Sequence, residues 1–212
     1  MGRSNCHVIS QVSKSCGTMY RVRLHVPRKI LKKIYMALIQ PYLFYCITLW
    51  GSSVKSASTN KLFVLQKKCV RIIAGKTTKE DGFFQHTKPI FRSLNILNVF
   101  NLYTYFTGIE AMKIVFMKSP TLLSNYFNVS KRSNRLILPS FHYESLKQKS
   151  FIYNGSKILN HLIDQDIPYM NISVPVFKAR LKKHLLFIQG RSVNGDDAWL
   201  PCNHSLFSDI RF

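Results

Sequence analysis

From Met1 to Lys79 the chain carries 15 Lys and Arg and no Asp or Glu; the first acidic residue is Glu80. Over all 212 residues the formal charge is +22. A chain this cationic repels itself unless a polyanion neutralises it. Nucleic acid is the natural counterpart, through phosphate contacts that release counterions. An anionic membrane surface is the rival. A solvated surface ordinarily mixes signs, so the N-terminal third is the part expected to face phosphate. Hydrophobic residues make up 46%, enough for a folded core, and the length allows one domain or two small ones. Nine acids in the whole chain argue against a calcium protein or a carboxylate-rich hydrolase.

Apolar spacing then predicts helices. Ile9, Val12, Cys16, Met19 and Tyr20 recur at three-to-four spacing over residues 8–23. His25-Val26-Pro27 breaks that run, and Pro27 suits the first turn of a second helix beginning RKILKK. Its stripe is Leu31, Ile34, Tyr35, Leu38, Tyr42 and Tyr45, and Pro41 should kink or divide it, having no N–H to give. A third helix runs over 58–74, with Ser58 or Thr59 as cap and Gly75 as stop. Leu62, Leu65, Cys69 and Ile72 form its apolar face, widened by Phe63, Val70 and Ile73. Lys67, Lys68 and Arg71 fall on its other side, where like charges one turn apart suit a phosphate between them. Residues 75–87 read as a loop, a short helix starts near Lys88-Pro89, and a longer one spans 98–117 with Phe100, Tyr103, Phe106, Met112, Ile114 and Met117 apolar. Residues 136–139 suggest a short extended piece. Residues 145–163 read as helical despite Gly155, and Ser173 caps a last helix striped by Val174, Phe177, Leu181, Leu185 and Ile188. The expected fold is mainly α, with little or no β: no βαβ alternation, fixed repeat or sustained heptad occurs.

No charge occurs from Ile34 to Val54, long enough to raise a membrane span. Gln40, Pro41, Thr48 and Gly51-Ser52-Ser53 interrupt its apolar character, so a buried core helix is the preferred reading. The start MGRSNCH is no signal peptide, which leaves the four Asn-x-Ser sequons without meaning. Five cysteines without a CxxC pair suggest free thiols in a reducing compartment and no zinc site, and Cys202-Asn203-His204 is too little alone.

Recognisable chemistry is missing. Gly75-Lys76-Thr77 echoes the end of a P-loop, but Val70 stands where the upstream glycine belongs. Asp196-Asp197 resembles a polymerase metal pair without its flanking strands or a third aspartate upstream. Asp164 and Asp166 read as loop acids, and His86 and His184 as surface or satisfied core residues. No catalytic or metal-ligating residue is expected.

The order of pieces resembles a known family. Leu38 to Gly51, with Pro41-Tyr42-Leu43, Tyr45 and Trp50-Gly51, is similar to the segment just after the palm in jockey-like reverse transcriptases of non-LTR retrotransposons. Four further pieces resemble that family in order: Leu65 to Ile73; His86 to Phe91 with Leu94 to Leu97; Ser150 to Asn160; and Phe177 to Leu186. Leu159 departs from the family's usual Trp, and the tail after Gly190 matches nothing in it.

The resemblance implies a thumb-like basic helical region over 1–76, a helical C-terminal region over 77–189 and an irregular tail over 190–212. It implies a truncated end of an RNA-directed DNA polymerase that lacks the catalytic palm and is inactive alone. The parent family uses Mg²⁺ in its palm; this chain would hold no cofactor. The expected partner is the backbone of an RNA–DNA or DNA duplex, gripped by Arg28, Lys29, Lys32, Lys33, Lys67, Lys68 and Arg71. Pro41, Tyr42, Tyr45, Trp50 and Gly51 would be structural motif residues. A separate palm-bearing chain is a possible second partner, and the compartment would be the nucleus. The alternatives are a non-functional or host-retained interaction module, and a small basic membrane protein using residues 34–54.

Overall fold

The computed structural model describes residues 2–45, 47–50, 57–77, 86–118, 120–130, 132–133, 135–143, 150–165, 167 and 172–190. The fold is mainly α, as expected. Its helices are α1 (Gly2–Val22), α2 (Arg28–Leu38), α3 (Gln40–Phe44), α4 (Ile47–Trp50), α5 (Ala57–Ala74), α6 (Thr87–Ser93), α7 (Val99–Met117), α8 (Thr121–Ser124), α9 (Phe151–Asp164) and α10 (Val174–Gly190). There is no strand among the described residues, only an antiparallel bridge between Val129 and Leu136. Two compact units emerge. One holds the described residues up to Leu102 together with Gln189 and Gly190, and the other those from Tyr103 to Ile188. This division falls later in the chain than a boundary after residue 76.

In the first unit α5 is central, and α1, α2 and α6 pack on it. Val8, Val12, Cys16 and Met19 bury the face of α1, while Tyr20, expected on that face, is exposed under the Arg23 guanidinium at 3.5 Å. The 34–54 run is divided into α2, α3 and α4, and no helix among the described residues is long and apolar enough to cross a membrane. The inward row is Leu31, Tyr35, Ile39, Leu43 and Ile47. Leu38 and Tyr45, expected in the stripe, are instead exposed, Tyr45 at 71%. The breaks explain this. An i+4 row drifts by about 40° per step around a straight helix. Interruptions around Ile39 and after Phe44 reset the axis and keep every fourth residue on the core.

Thr59 is buried inside α5, which starts at Ala57 rather than at a Ser58 or Thr59 cap. Gly75 ends α5 as expected: its φ is +71°, its N–H donates to Ile72 O (3.2 Å) and Lys76 N–H to Arg71 O (2.9 Å). α6 closes the same way around Asn95 (φ +57°), with Ile96 N–H reaching Phe91 O at 3.0 Å. Phe63 of α5 packs against Phe91 and Phe100 at ring-centroid distances of 6.5 and 5.0 Å.

Two buried glutamines secure the connector into α7. Gln66 donates through Nε2 to Tyr35 Oη (3.0 Å) and Leu97 O (2.9 Å), and its Oε1 accepts Val99 N–H (2.9 Å). Gln189 accepts from Asn98 N (3.1 Å) and Asn101 Nδ2 (3.0 Å) and donates to Ile96 O (3.1 Å). Asn98 caps α7 by accepting from Asn101 N–H at 2.8 Å. These bonds are why the first unit extends to Leu102.

In the second unit α7 and α9 approach through small residues. A Cβ on Gly155 would lie 2.9 Å from the Ala111 Cβ, and one on Gly108 would lie 3.3 Å from Ile158 Cγ2 and 3.4 Å from Leu181 Cδ2. This approach accounts for a helical glycine at 155. Ser150 caps α9 by accepting Tyr153 N–H (3.3 Å); the expected start at 145 lies outside the described residues. Phe177, Leu181 and Leu185 bury the face of α10 as the stripe requires. Met117, expected to be apolar core, is 62% exposed at the end of α7. Asn160 holds Leu136 through both backbone atoms, donating to its O and accepting from its N–H, each at 2.8 Å.

Three substitutions test this packing by chemical denaturation. Gly155→Ala should destabilise by about 1–3 kcal/mol through overpacking. Gly17→Ala, with nothing within 4 Å of its Cβ, should stabilise by about 0.5–1 kcal/mol. Gln66→Met leaves three buried partners unmatched and should cost roughly 2–4 kcal/mol.

Candidate nucleic-acid interface

The sequence RKILKK directs Leu31 inward, as the first residue of the i+4 core row, and leaves Arg28, Lys29 and Lys33 exposed and Lys32 half-buried. Pro27 precedes the helix with φ −64° and ψ 151°, so α2 starts sharply at Arg28. The other end of the site is the C-terminus of α5. Arg28 Nη2 would stand 2.9 Å from a Cβ on Gly75, so its guanidinium lies against that turn. A helix C-terminus carries partial negative charge on its last carbonyls, which favours a cation there.

Arg28, Lys29 and Lys32 meet Lys76 around a cleft of about 450 Å³ with an apolar lining that includes Ile73, Pro89, Ile90 and Leu94. Lys33 joins Lys29 and Lys32 on a neighbouring shallow groove of about 600 Å³, with Met36 and Ala37. Among the described residues of this unit there is no carboxylate side chain. A concave wall rich in one sign of charge concentrates the field on a counter-ion.

The α5 cations are arranged differently. Lys67 lies over the Phe63 ring at 4.2 Å, Lys68 is exposed beside Cys16 and Cys69, and Arg71 is half-buried, with burial lowering its affinity for the proton. None of the three lines either cleft. Lys76, which sequence reasoning passed over, does. The signal available was Gly75: a left-handed helix stop turns the next side chain off the helix, here back toward α2. The P-loop echo fails for the same reason. The N–H groups of Gly75 and Lys76 are spent on the last carbonyls of α5 and cannot cradle phosphate.

Of the motif residues, Pro41 lies in the first turn of α3 and its carbonyl accepts Tyr45 N–H at 2.9 Å. Tyr42 is half-buried, Trp50 ends α4, and Gly51 lies outside the described residues. Asp196, Asp197, Cys202 and His204 lie outside them too. Glu110 and Asp164, the carboxylates among the described residues, pair with Lys113 (2.7 Å) and Arg135 respectively. No group of three or more His, Cys, Asp or Glu among the described residues could hold a metal ion.

Comparison of the chain with protein-family models, curated proteins and solved structures returned no match.

The titratable pair in the second unit is His161 and His184. Burial lowers both below the ordinary histidine range; Asp164 partly offsets this for His161, and the neighbouring His161 adds to it for His184. The Nε2 of His184 is buried without a hydrogen-bond partner. The unfolded chain therefore takes up these protons more readily than the folded one. Stability from the neutral imidazoles should be complete above about pH 6.5, the unfolded value, and be lost as the pH falls below it. Denaturant midpoints across pH 5–8 check this, and His184→Gln should flatten the fall.

Proposed function

We propose that this chain grips the phosphate backbone of a nucleic-acid duplex in the cleft formed by Arg28, Lys29, Lys32 and Lys76. In this reading these residues correspond to the thumb and C-terminal portion of a non-LTR retrotransposon reverse transcriptase, and they perform no polymerisation by themselves. The observation that carries the binding is the convergence of these four cations, from α2 and the end of α5, in a unit with no described carboxylate. The ordered resemblance of five sequence pieces supports the family.

The mechanism is electrostatic. Each Lys or Arg that reaches a phosphate displaces condensed cations, and their release drives binding. The duplex would be held by shape and backbone, with no base read. On this reading the chain works in the nucleus, and a separate palm-bearing chain would supply the chemistry.

A second reading has its own observation. Leu24, Tyr45 and Leu49 are each more than 60% exposed in the first unit, which suits a surface that another protein covers in an interaction module. Size-exclusion chromatography with hydrogen exchange separates the two: a well-protected monomer that binds nucleic acid counts against it.

Fluorescence anisotropy with an RNA–DNA hybrid tests the first reading. Four phosphate contacts predict a log–log salt slope of about −3 to −4, a loss on the order of a hundredfold between 50 and 200 mM salt. Lys29→Gln/Lys32→Gln/Lys76→Gln should reduce that slope by about three. An unchanged slope would exclude the cleft. A parallel Lys67/Lys68/Arg71→Ala variant that keeps affinity and slope would remove those residues from the interface. Primer extension by the purified chain would overturn the non-catalytic assignment.

A further inference from the structure

Cys16 and Cys69 meet in the core of the first unit. Cys16 follows Val8 and Val12 on the inward face of α1, and Cys69 lies on the face of α5 that packs there. Both are free thiols, Cys69 fully buried and Cys16 8% exposed. Their side chains interact across the two helices, and the Lys68 ammonium is close enough to act on both. Two thiols in contact from elements far apart in sequence do not arise from helix periodicity alone. Apolar contacts would serve the packing equally well at both positions.

We propose that this pair is an oxidation site, at which a hydroperoxide oxidises Cys16 and Cys69 then closes a disulfide tying α1 to α5. The roles follow from burial: Cys16 is the less buried of the two and Cys69 is fully enclosed. The neighbouring Cys69 side chain and the Lys68 ammonium lower the Cys16 pKa against the opposing effect of burial. The same contact and deep burial push Cys69 up, so it keeps its proton. The thiolate is the nucleophile. Cys16 attacks one peroxide oxygen and the O–O bond breaks. The other oxygen leaves as an alcohol or water after taking a proton, and Cys16 becomes a sulfenic acid. The Cys69 sulfur then attacks the Cys16 sulfur, the S–O bond breaks, and the departing hydroxide takes the Cys69 proton as water. Two thiols and one hydroperoxide give one disulfide, one alcohol and one water. Cys16 has the small opening a peroxide needs, and Cys69 needs none because its target is already in contact.

This site is independent of the nucleic-acid reading. The bond would close a loop of more than fifty residues and restrain the unfolded chain. The test uses the full chain treated with hydrogen peroxide, then alkylated in denaturant and digested without reduction. A peptide linking Cys16 to Cys69 is expected in mass spectrometry, with a rise in the thermal midpoint of about 5 °C or more that dithiothreitol reverses. In Cys69→Ser, dimedone should label Cys16. Recovery of Cys16 and Cys69 as alkylated thiols while the chain's other cysteines are oxidised would overturn the proposal. So would a folded Cys69→Ser protein whose Cys16 takes up no dimedone. The wild-type digest decides the question if the variant does not fold.

Discussion

Gln66 lies at the point on which the first unit depends. Its amide meets a tyrosine hydroxyl from α2, a carbonyl from the connector and the first N–H of α7, all away from water. A buried backbone group left without a partner costs on the order of 1–3 kcal/mol, so the connector could not run through the core without such a partner. A carboxylate could accept there but not donate, and a lysine could donate but not accept. A neutral amide does both and brings no charge to be compensated. Gln189 repeats the solution at Ile96, Asn98 and Asn101. In a unit without a described carboxylate, amides take over the polar work that ion pairs perform elsewhere.

The cationic cleft follows from where two helices begin and end. α2 must start at Arg28 because Pro27 cannot sit deeper in a helix, and α5 must stop at Gly75 because the backbone turns left-handed there. Those two points are adjacent, so the basic residues attached to each converge. Cations from two helices thus share one concavity. That convergence is the physical argument for an anionic partner, and the function proposed for the chain rests on it.

Much of the helical scaffold was legible in the sequence. The α1 and α10 stripes, the division near Pro41 and the stop at Gly75 all come from local rules that need no tertiary information. The failures are equally physical. Tyr20, Leu38, Tyr45 and Met117 belong to apolar patterns but lie outside the core, because helix breaks and ends rotate them away. The α7 helix is buried almost all the way round as far as Met112, so its periodicity carries little information about facing. Gln66, Gln189 and Asn160 were invisible, since a polar residue has no periodic signature that separates a buried bridge from a solvated face. Of the candidate site, the α2 cations could be read from RKILKK. For Lys76 the sequence offered only the stop at Gly75; its place in the cleft depends on the fold bringing the end of α5 to the start of α2.

The amide of Asn160 has a consequence for how the chain meets copies of itself. Around the Val129–Leu136 bridge, Ser130 bonds Arg135 and Ile137 bonds Asn128, so the N–H and C=O of Leu136 point away from the ribbon. Outward-pointing pairs of that kind are where sheets grow by recruiting further chains. Here the side chain of a helical residue occupies both atoms and imitates a third strand one residue long. That edge of the bridge is thereby closed at Leu136, where a helix side chain takes the place a further strand would need.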